Sequence, residues 1–391
     1  MRNLVNLCDV CDFQGGSQPP KEQWIDEEKD GYIRMLQIRD FTQADRVKPE
    51  YVKISPNIKT CCEDDILIAR YGASVGKILT GLSGAYNVAI MKTIPDENML
   101  NKRYLYYYLL SDVFQNAILN VGSRAAQAGF NKTDLQEIRI SCPNLGKQEE
   151  ICRILDRVCT LLSIGKYQLE MLDELVSSRF IEMFGNPVKN TKNWKKGTVA
   201  NITEEIISGQ CLNGEARKKF SGEKAVLKVS AVTYGYFKDD EYKVLKNQEQ
   251  IKKNVYPQKG DLLFSRANTK EYVGATALVL KDYPDLLLPD KLWKLVLKDS
   301  VNPVFIKNFL SMSEVRDILS GVATGTSGSM YNISMEKLRE LDVIIPPLEL
   351  QNQFAAFVHQ TDKSKLAVKQ SLEKLETLKK ALMQQYFGQE Q

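Results

Sequence analysis

Residues 72–77, Gly-Ala-Ser-Val-Gly-Lys, invite reading as a loop that cradles phosphates. The spacing fails: three residues separate the glycines where four are needed. Ile78 also stands where a metal-binding Ser or Thr should follow the lysine. The stretch reads as a turn leaving a strand, with a backbone approach to a DNA phosphate as its functional variant. Cys8 and Cys11 form a lone CxxC, and no second pair or nearby histidine completes the four ligands of a zinc site. The single histidine, His359, falls inside a helical stretch, a poor place for acid–base or nucleophilic work. Two turns match those of DNA enzymes only in part. Asn186-Pro187-Val188 and Ile345-Pro346-Pro347-Leu348 each lack elements of the Asn/Asp-Pro-Pro-aromatic turn that grips a target amine. Pro289-Asp290 lacks the Glu-x-Lys or Asp-x-Lys triplet that would hold a nuclease metal. The chain reads as non-catalytic.

What remains is chemistry suited to reading. Base edges in the major groove show distinct donor and acceptor patterns, and Arg, Lys, Asn, Gln or Ser on reaching loops can match them. Arg39, Arg70, Tyr71 and Lys77 lie on or beside turns in the first half, and Lys228, Arg266, Asn268 and Lys270 in the second. Two polar loops add Ser123, Arg124, Gln127, Asn131 and Lys132, then Thr326, Ser327, Tyr331 and Asn332. Net charge is +4, a weak signal for nucleic acid by itself. Residues 147–185 hold five basic and seven acidic residues and residues 347–391 hold six and five, so the basic excess lies outside these two stretches.

The elements that would position these groups are duplicated. Pro143, Gln148 and Phe184-Gly185 recur as Pro346, Gln351 and Phe387-Gly388, each 203 residues later. Asp65-Ile-Leu-Ile-Ala-Arg70 recurs as Asp261-Leu-Leu-Phe-Ser-Arg266, a buried-strand pattern in both copies. Strands are expected at 33–38 and 226–229, single helices at 102–119 and 305–319, and closing strands at 138–142 and 341–345. After each closing strand comes a long helix. Ile151, Leu155, Val158, Leu162, Leu169, Leu172, Val176 and Met183 fall at 3-4 spacing, with Gly165 and Arg179 at seam positions. Phe354, Val358, Val368, Leu372, Leu375, Leu382 and Tyr386 do the same, interrupted at Thr361 and Lys365. A stripe this long needs a partner helix, and each rod is the other's obvious partner, antiparallel. The organisation expected is a globe at 1–146, a helix at 147–185, a globe at 186–346 and a helix at 347–391.

At 391 residues the chain exceeds one ordinary core. No apolar run approaches the ~20 residues of a membrane span. The eight cysteines form no repeating framework, which suggests reduced thiols and a cytoplasmic setting.

The whole pattern resembles the specificity (S) subunit of type I restriction-modification systems. The carriers are Asn332-Ile333-Ser334 and Ile344-Ile345-Pro346-Pro347-Leu348-Glu349-Leu350-Gln351 leading into a long helix. Tyr71 to Lys77 after a buried strand, Thr324-Gly325-Thr326-Ser327-Gly328, and the opening Leu7 to Cys11 with Gly15-Gly16 and Pro19-Pro20 support it. The first half departs at Cys142-Pro143-Asn144, where the second has a double proline. The resemblance implies an α+β fold. Two similar target-recognition domains of mixed strands and helices would be separated by two long antiparallel helices forming a coiled coil, in a pseudo-two-fold internal repeat. It implies double-stranded DNA as ligand, each globe reading half of a bipartite target. Two methyltransferase subunits would dock on the chain, and a motor-nuclease subunit would join for cleavage. No cofactor is expected in this chain, S-adenosylmethionine belonging to the methyltransferase subunit. A coiled-coil-spaced protein-interaction scaffold is the alternative.

Overall fold

The segment Leu67–Ala69 is buried along its whole length and so is Leu262–Ser265, as continuous apolar strands at sheet centres should be. Each is bracketed by the same two charges. At one end Asp65 takes an N–H from Cys62 at 2.9 Å and pairs with Lys92 on the neighbouring strand at 2.5 Å. Asp261 takes one from Gln258 at 2.7 Å and pairs with Lys294 at 2.7 Å. At the other end stand Arg70 and Arg266, on the same plan. The duplicated motif is therefore a strand pinned to its neighbour at both ends.

The computed structural model describes residues 4–122, 129–246, 251–326 and 330–388. Contacts divide it into two compact units, Met1–Lys166 with Gln370–Gln391, and Tyr167–Lys369. In the first, the pinned strand sits in an antiparallel sheet ordered Cys11–Gly15, Ile90–Pro95, Leu67–Ala69, Ile78–Leu79. In the second the order is Thr203–Ser208, Leu292–Leu297, Leu262–Ser265, Thr276–Leu278. Each unit has a further sheet with one parallel pair. Tyr32–Leu36 lies beside Gly84–Tyr86 in the first, and Ala225–Leu227 beside Leu286–Leu287 in the second. A two-stranded ribbon closes each unit: Leu4–Asn6 with Arg139–Ser141, and Lys195–Thr198 with Asp342–Ile345.

Three expectations are corrected. The strand expected at 33–38 ends at Leu36, and the chain turns into the short helix Ile38–Thr42. The match expected at 226–229 likewise ends at Leu227 and enters a helical turn at Val229. The single helices expected at 102–119 and 305–319 are each two, Lys102–Leu109 with Asp112–Gly122 and Pro303–Ser311 with Ser313–Val322. Buried Ser111 explains the first break. Its Oγ donates to the Tyr108 carbonyl at 2.6 Å, a local bond that competes with continuing the helix.

Both rods are continuous helices of 40 residues, Leu145–Phe184 and Leu348–Phe387, each roughly 60 Å long. Each runs through both units. In the first unit Gly165 faces Leu372: a Cβ there would lie 2.7 Å from Leu372 Cδ2. The same unit packs Ile151, Cys152 and Leu155 in one cluster with Leu382, Met383, Tyr386 and Phe387. In the second unit Lys365 pairs with Asp173 at 2.6 Å, while Phe180 and Phe184 meet Phe354 at 5.5 Å each. As one number rises the other falls, so the rods pair antiparallel within each unit. Thr361 and Lys365, the polar breaks in the stripe, are accommodated locally. Thr361 is buried with its hydroxyl donating to the Phe357 carbonyl at 3.0 Å, and Lys365 reaches out to Asp173.

The residues 203 apart explain the repeat. Gln148 is fully buried. Its amide donates to the carbonyls of Met99 and Pro143 at 2.8 and 2.7 Å and accepts the N–H of Asn101 at 2.8 Å. Gln351, equally buried, donates to the Pro346 carbonyl at 2.7 Å and accepts the N–H of Asn302 at 2.8 Å. Asn101 and Asn302 in turn cap the helices that follow them. The paired Phe residues plug the cores. Phe387 meets Tyr104 at 5.1 Å and Tyr108 at 6.0 Å, and Phe184 meets Phe305 at 4.7 Å. No helix among the described residues is long and apolar enough to cross a membrane.

Candidate nucleic-acid interface

In the second unit the residues expected to read DNA converge on one ribbon. Met330–Asn332 pairs on one side with Ala267–Asn268 and on the other with Thr324–Thr326. This sets Asn268 opposite Tyr331, with Asn332 next to it opposite Ala267. Gly325 permits the close pairing, since a Cβ there would lie 2.6 Å from the Met330 carbonyl oxygen. The chain leaves Asn268 through a turn that carries Lys270, exposed and without an ion pair among the described residues. Gly274 closes the turn at φ +82°, its N–H donating to the Ser265 carbonyl at 2.7 Å. Asn268 ties the turn to a neighbouring loop by donating to Thr233 Oγ1 at 3.2 Å. Tyr272, in the same turn, packs on Tyr234 of that loop at 6.1 Å.

The first unit builds a shorter version. Tyr71 bridges to Gly129, and Gly76, at φ +81°, closes the turn by donating to the Ala69 carbonyl at 2.9 Å. The phosphate-loop look of 72–77 dissolves here. The N–H groups of Val75, Gly76 and Lys77 are spent on the carbonyls of Gly72, Ala69 and Ser74, so these three donors close the turn and are not left over for a phosphate. Tyr71 and Lys77 are exposed, and Lys77 makes no ion pair among the described residues. Arg124 and Gln127, with Ser123, lie outside the described residues, as does Ser327.

The other expected readers are engaged within the protein. Arg70 donates to the carbonyls of Phe130 and Val88 at 3.2 and 3.3 Å and to Asn131 Oδ1 at 2.7 Å. Arg266 donates to the Asp290 carbonyl at 2.9 Å and its carboxylate at 3.2 Å. These paired arginines hold the ribbon region onto the sheet. Arg39 sits on the short helix after the strand and pairs with Glu50, which Lys21 also holds. Lys228 pairs with Glu241 at 3.4 Å, and Lys132 pairs with Asp12. Of the expected readers, Tyr71 and Lys77 in one unit and Lys270 in the other are exposed and make no ion pair among the described residues, while Asn268 is held by Thr233 and by the Thr269 N–H.

The remaining chemistry-bearing groups are placed as structural parts. Burial pushes the Cys11 thiol up to about 12, and Cys8 is raised for the same first reason. His359 is exposed on the second rod. Sequence reading missed Thr233, Tyr234, Tyr236 and Lys238. The signal was present as aromatic residues interleaved with lysine in Tyr234-Gly-Tyr-Phe-Lys238, but nothing marked the rings as exposed.

Comparison with known proteins places the chain in a family. Two tandem stretches, residues 3–172 and 191–379, match the type I restriction modification DNA specificity domain. The EcoKI specificity subunit of Escherichia coli K12 is 23% identical over 362 residues, covering 87% of this chain and 77% of that one. The MjaVIII specificity subunit of Methanocaldococcus jannaschii is 23% identical over 402 residues, covering 97% and 90%. Among solved structures, the S subunit of a type I restriction-modification system from M. genitalium superposes with a TM-score of 0.56. It is 15% identical and covers 100% of this chain and 97% of its own. A structure from work on assembly and conformational transition of a type I R-M system gives 0.54 at 16% identity, covering 98% and 97%. At these identities the two structures speak to the fold alone, whereas the tandem domain matches take in most of the sequence, and the chain belongs to the type I restriction-modification DNA specificity domain family.

Proposed function

We propose that this chain is the specificity subunit of a type I restriction-modification complex. Each globe reads one half of a bipartite duplex target, and the rods fix the gap between the halves. The observation that carries this reading is the doubling itself. Two variant ribbon-and-turn surfaces stand on one repeated framework, and both frameworks are completed by the same pair of continuous helices. A stiff link makes the second engagement intramolecular, a gain that reaches 10²–10⁴ when the geometry fits. It also demands a fixed half-site spacing, because both readers must meet their grooves together.

Bond-making falls to partners in this reading. Two methyltransferase subunits, with S-adenosylmethionine bound in them, dock on the chain, and a motor-nuclease subunit joins for cleavage. The reading is supported by the structural use of the groups that could have been catalytic. Cys11 is buried within a sheet, the turn 72–77 is internally bonded, and Arg70 and Arg266 grip backbone.

The test is to co-express the chain with the products of its neighbouring genes and map the methylated bases. A split motif is expected. Deleting one heptad from each rod shortens the helices by about 10 Å, about three base-pair steps. The methylated motif should then keep both halves and change its spacer. An unsplit motif, or a spacer indifferent to rod length, overturns the proposal.

A further inference from the structure

The second unit carries an aromatic and cationic surface beyond the ribbon. Tyr234 and Tyr236 are 58% and 48% exposed, unusual for rings of this size that sit side by side. Their loop is not slack. The N–H of Gly235 donates to the Val232 carbonyl at 3.3 Å and that of Lys238 to the Ala231 carbonyl at 2.9 Å. Gly235, at φ +78°, supplies the left-handed turn that puts a tyrosine on either side. Lys238 Nζ lies 4.7 Å from the Tyr234 ring centre and 5.6 Å from that of Tyr236. Lys369, on the second rod, brings its own Nζ to 5.0 Å from the Tyr236 ring. Tyr272 joins Tyr234 to the turn that bears Lys270.

Neither Lys238 nor Lys369 has an ion pair among the described residues, and two nearby carboxylates are bonded to other groups, although Glu241 also feels the charge of Lys238. Asp239 pairs with Lys281 at 3.4 Å, and Glu241 accepts from Ser230 at 2.7 Å and pairs with Lys228 at 3.4 Å. Glu271, beside Tyr272, is the acidic group at the edge of the patch. Two cations held over ring faces are pre-oriented without a direct ion pair among the described residues. Lysine offers a point charge with no planar fork, which suits phosphate better than a base edge.

We propose that Tyr234, Tyr236, Lys238 and Lys369 form a sequence-independent anchor for the sugar-phosphate backbone of duplex DNA, adjoining the reading turn at Lys270. This deepens the DNA-reading function proposed above and rests on it. The anchor belongs to one half only. Where the second unit has this loop after its parallel-paired strand, the first has the short helix Ile38–Thr42, whose Arg39 is already held by Glu50. Because Lys369 is on the rod, the grip ties the DNA backbone to the helix that sets the spacing.

The experiment measures binding of the assembled complex to two fluorescent duplexes, one carrying its methylated motif and one scrambled, across a salt series. Lys238→Gln with Lys369→Gln is expected to weaken both duplexes by the same factor, on the order of tenfold. It should flatten the slope of log K against log salt by about 1.8, because two phosphates are no longer neutralised. Lys238→Arg with Lys369→Arg should restore both values. Tyr236→Leu, which removes the ring between the two cations, should weaken both duplexes to a lesser degree. The methylated motif should not change in any variant. An unaltered slope and affinity in the glutamine variant overturns the anchor. So does a loss confined to the target duplex, which would make these residues base readers, and so does loss of partner subunits with DNA binding intact. Wild-type complex that fails to distinguish the two duplexes would instead overturn the specificity reading, so the two failures are separable.

Discussion

Phe387 is the last helical residue of the second rod, yet it is 4% exposed inside the core of the first unit, against Tyr104 at 5.1 Å and Tyr108 at 6.0 Å. Phe184 does the same service at the end of the first rod, fully buried in the second unit against Phe180, Phe305 and Phe354 at 5.0, 4.7 and 5.5 Å. Truncating a buried Phe to Ala removes its transfer free energy and leaves a cavity, together about 3–5 kcal/mol. Phe184, with three ring neighbours, belongs at the upper end of that range, and Phe387, with two and slight exposure, at the lower. For a unit of this size each kcal/mol moves the melting point by about 2–4 °C, so Phe387→Ala should lower it by roughly 6–12 °C and Phe184→Ala by roughly 10–20 °C. The location is the sharper test. Hydrogen exchange in Phe387→Ala should rise in segments 102–122 and 145–166 and leave 303–322 unchanged, and Phe184→Ala should do the reverse. Loosening of 303–322 in Phe387→Ala would refute the idea that each rod's tip completes the core assigned to it, as would exchange unchanged in both variants.

Two further outcomes follow from the repeated framework. Gln351→Leu keeps the side-chain volume but strands the Pro346 carbonyl and the Asn302 N–H, at about 1–3 kcal/mol for each buried group left unpaired. Urea denaturation should show the second unit destabilised by about 2–6 kcal/mol, and a change under about 1 kcal/mol would show that water or a relaxed backbone takes over those bonds. Acid should weaken the first unit through Asp65. Burial raises its pKa, but Lys92, the Cys62 N–H and Lys102 outweigh that and hold it below the ordinary carboxylate value. A lowered folded-state pKa gives stability that is present above the unfolded value near 3.9 and is lost as pH falls through the folded one. The urea midpoint of the first unit should therefore drop below about pH 4, and Asp65→Asn should be weaker at neutral pH and flatter in acid. An identical acid slope in the variant would assign the loss to other groups.

The rods and the duplication were legible because they rest on period and offset, which survive divergence. The 3-4 stripe from Ile151 to Met183 lies buried or half-buried along the first rod, and the polar breaks in the second rod's stripe, Thr361 and Lys365, are likewise buried or half-buried. The Asp65-to-Arg70 match was visible as a pattern, but its meaning was not, since Lys92 and Val88 lie some twenty residues from the charges they bind. Helix breaks at Ser111 and Met312 escaped because apolar spacing runs straight across both. The reading surface was the least legible. Arginine in a turn has the same letter whether it is free or bonded to Asp290, and a tyrosine's exposure is decided by neighbours distant in sequence. The arginines thus stood out in the sequence, and the exposed Tyr234 and Tyr236 did not.

The two levels of similarity in the repeat follow from what each part must match. A rod must match another part of the same chain. On the second rod Gln351 has to reach Pro346 and Asn302 together, and Phe387 has to fill the space left between Tyr104 and Tyr108, so the number of residues from helix start to helix tip is set by both contacts at once. An insertion of one residue in a helix rotates everything after it by about 100° and would swing the terminal Phe out of its core. That constraint holds the offset at 203 through the rods. The turns proposed to read DNA carry no such length constraint at their tips. The second unit lengthens the turn between Arg266 and Gly274 by two residues over its counterpart between Arg70 and Gly76, yet Gly274 and Gly76 close onto Ser265 and Ala69 alike. Length is thus free to vary at the tip while the base is fixed. A family that must change what it reads without losing how far apart it reads needs that division, and here it is built from a pinned strand, a left-handed glycine and a buried glutamine in each half.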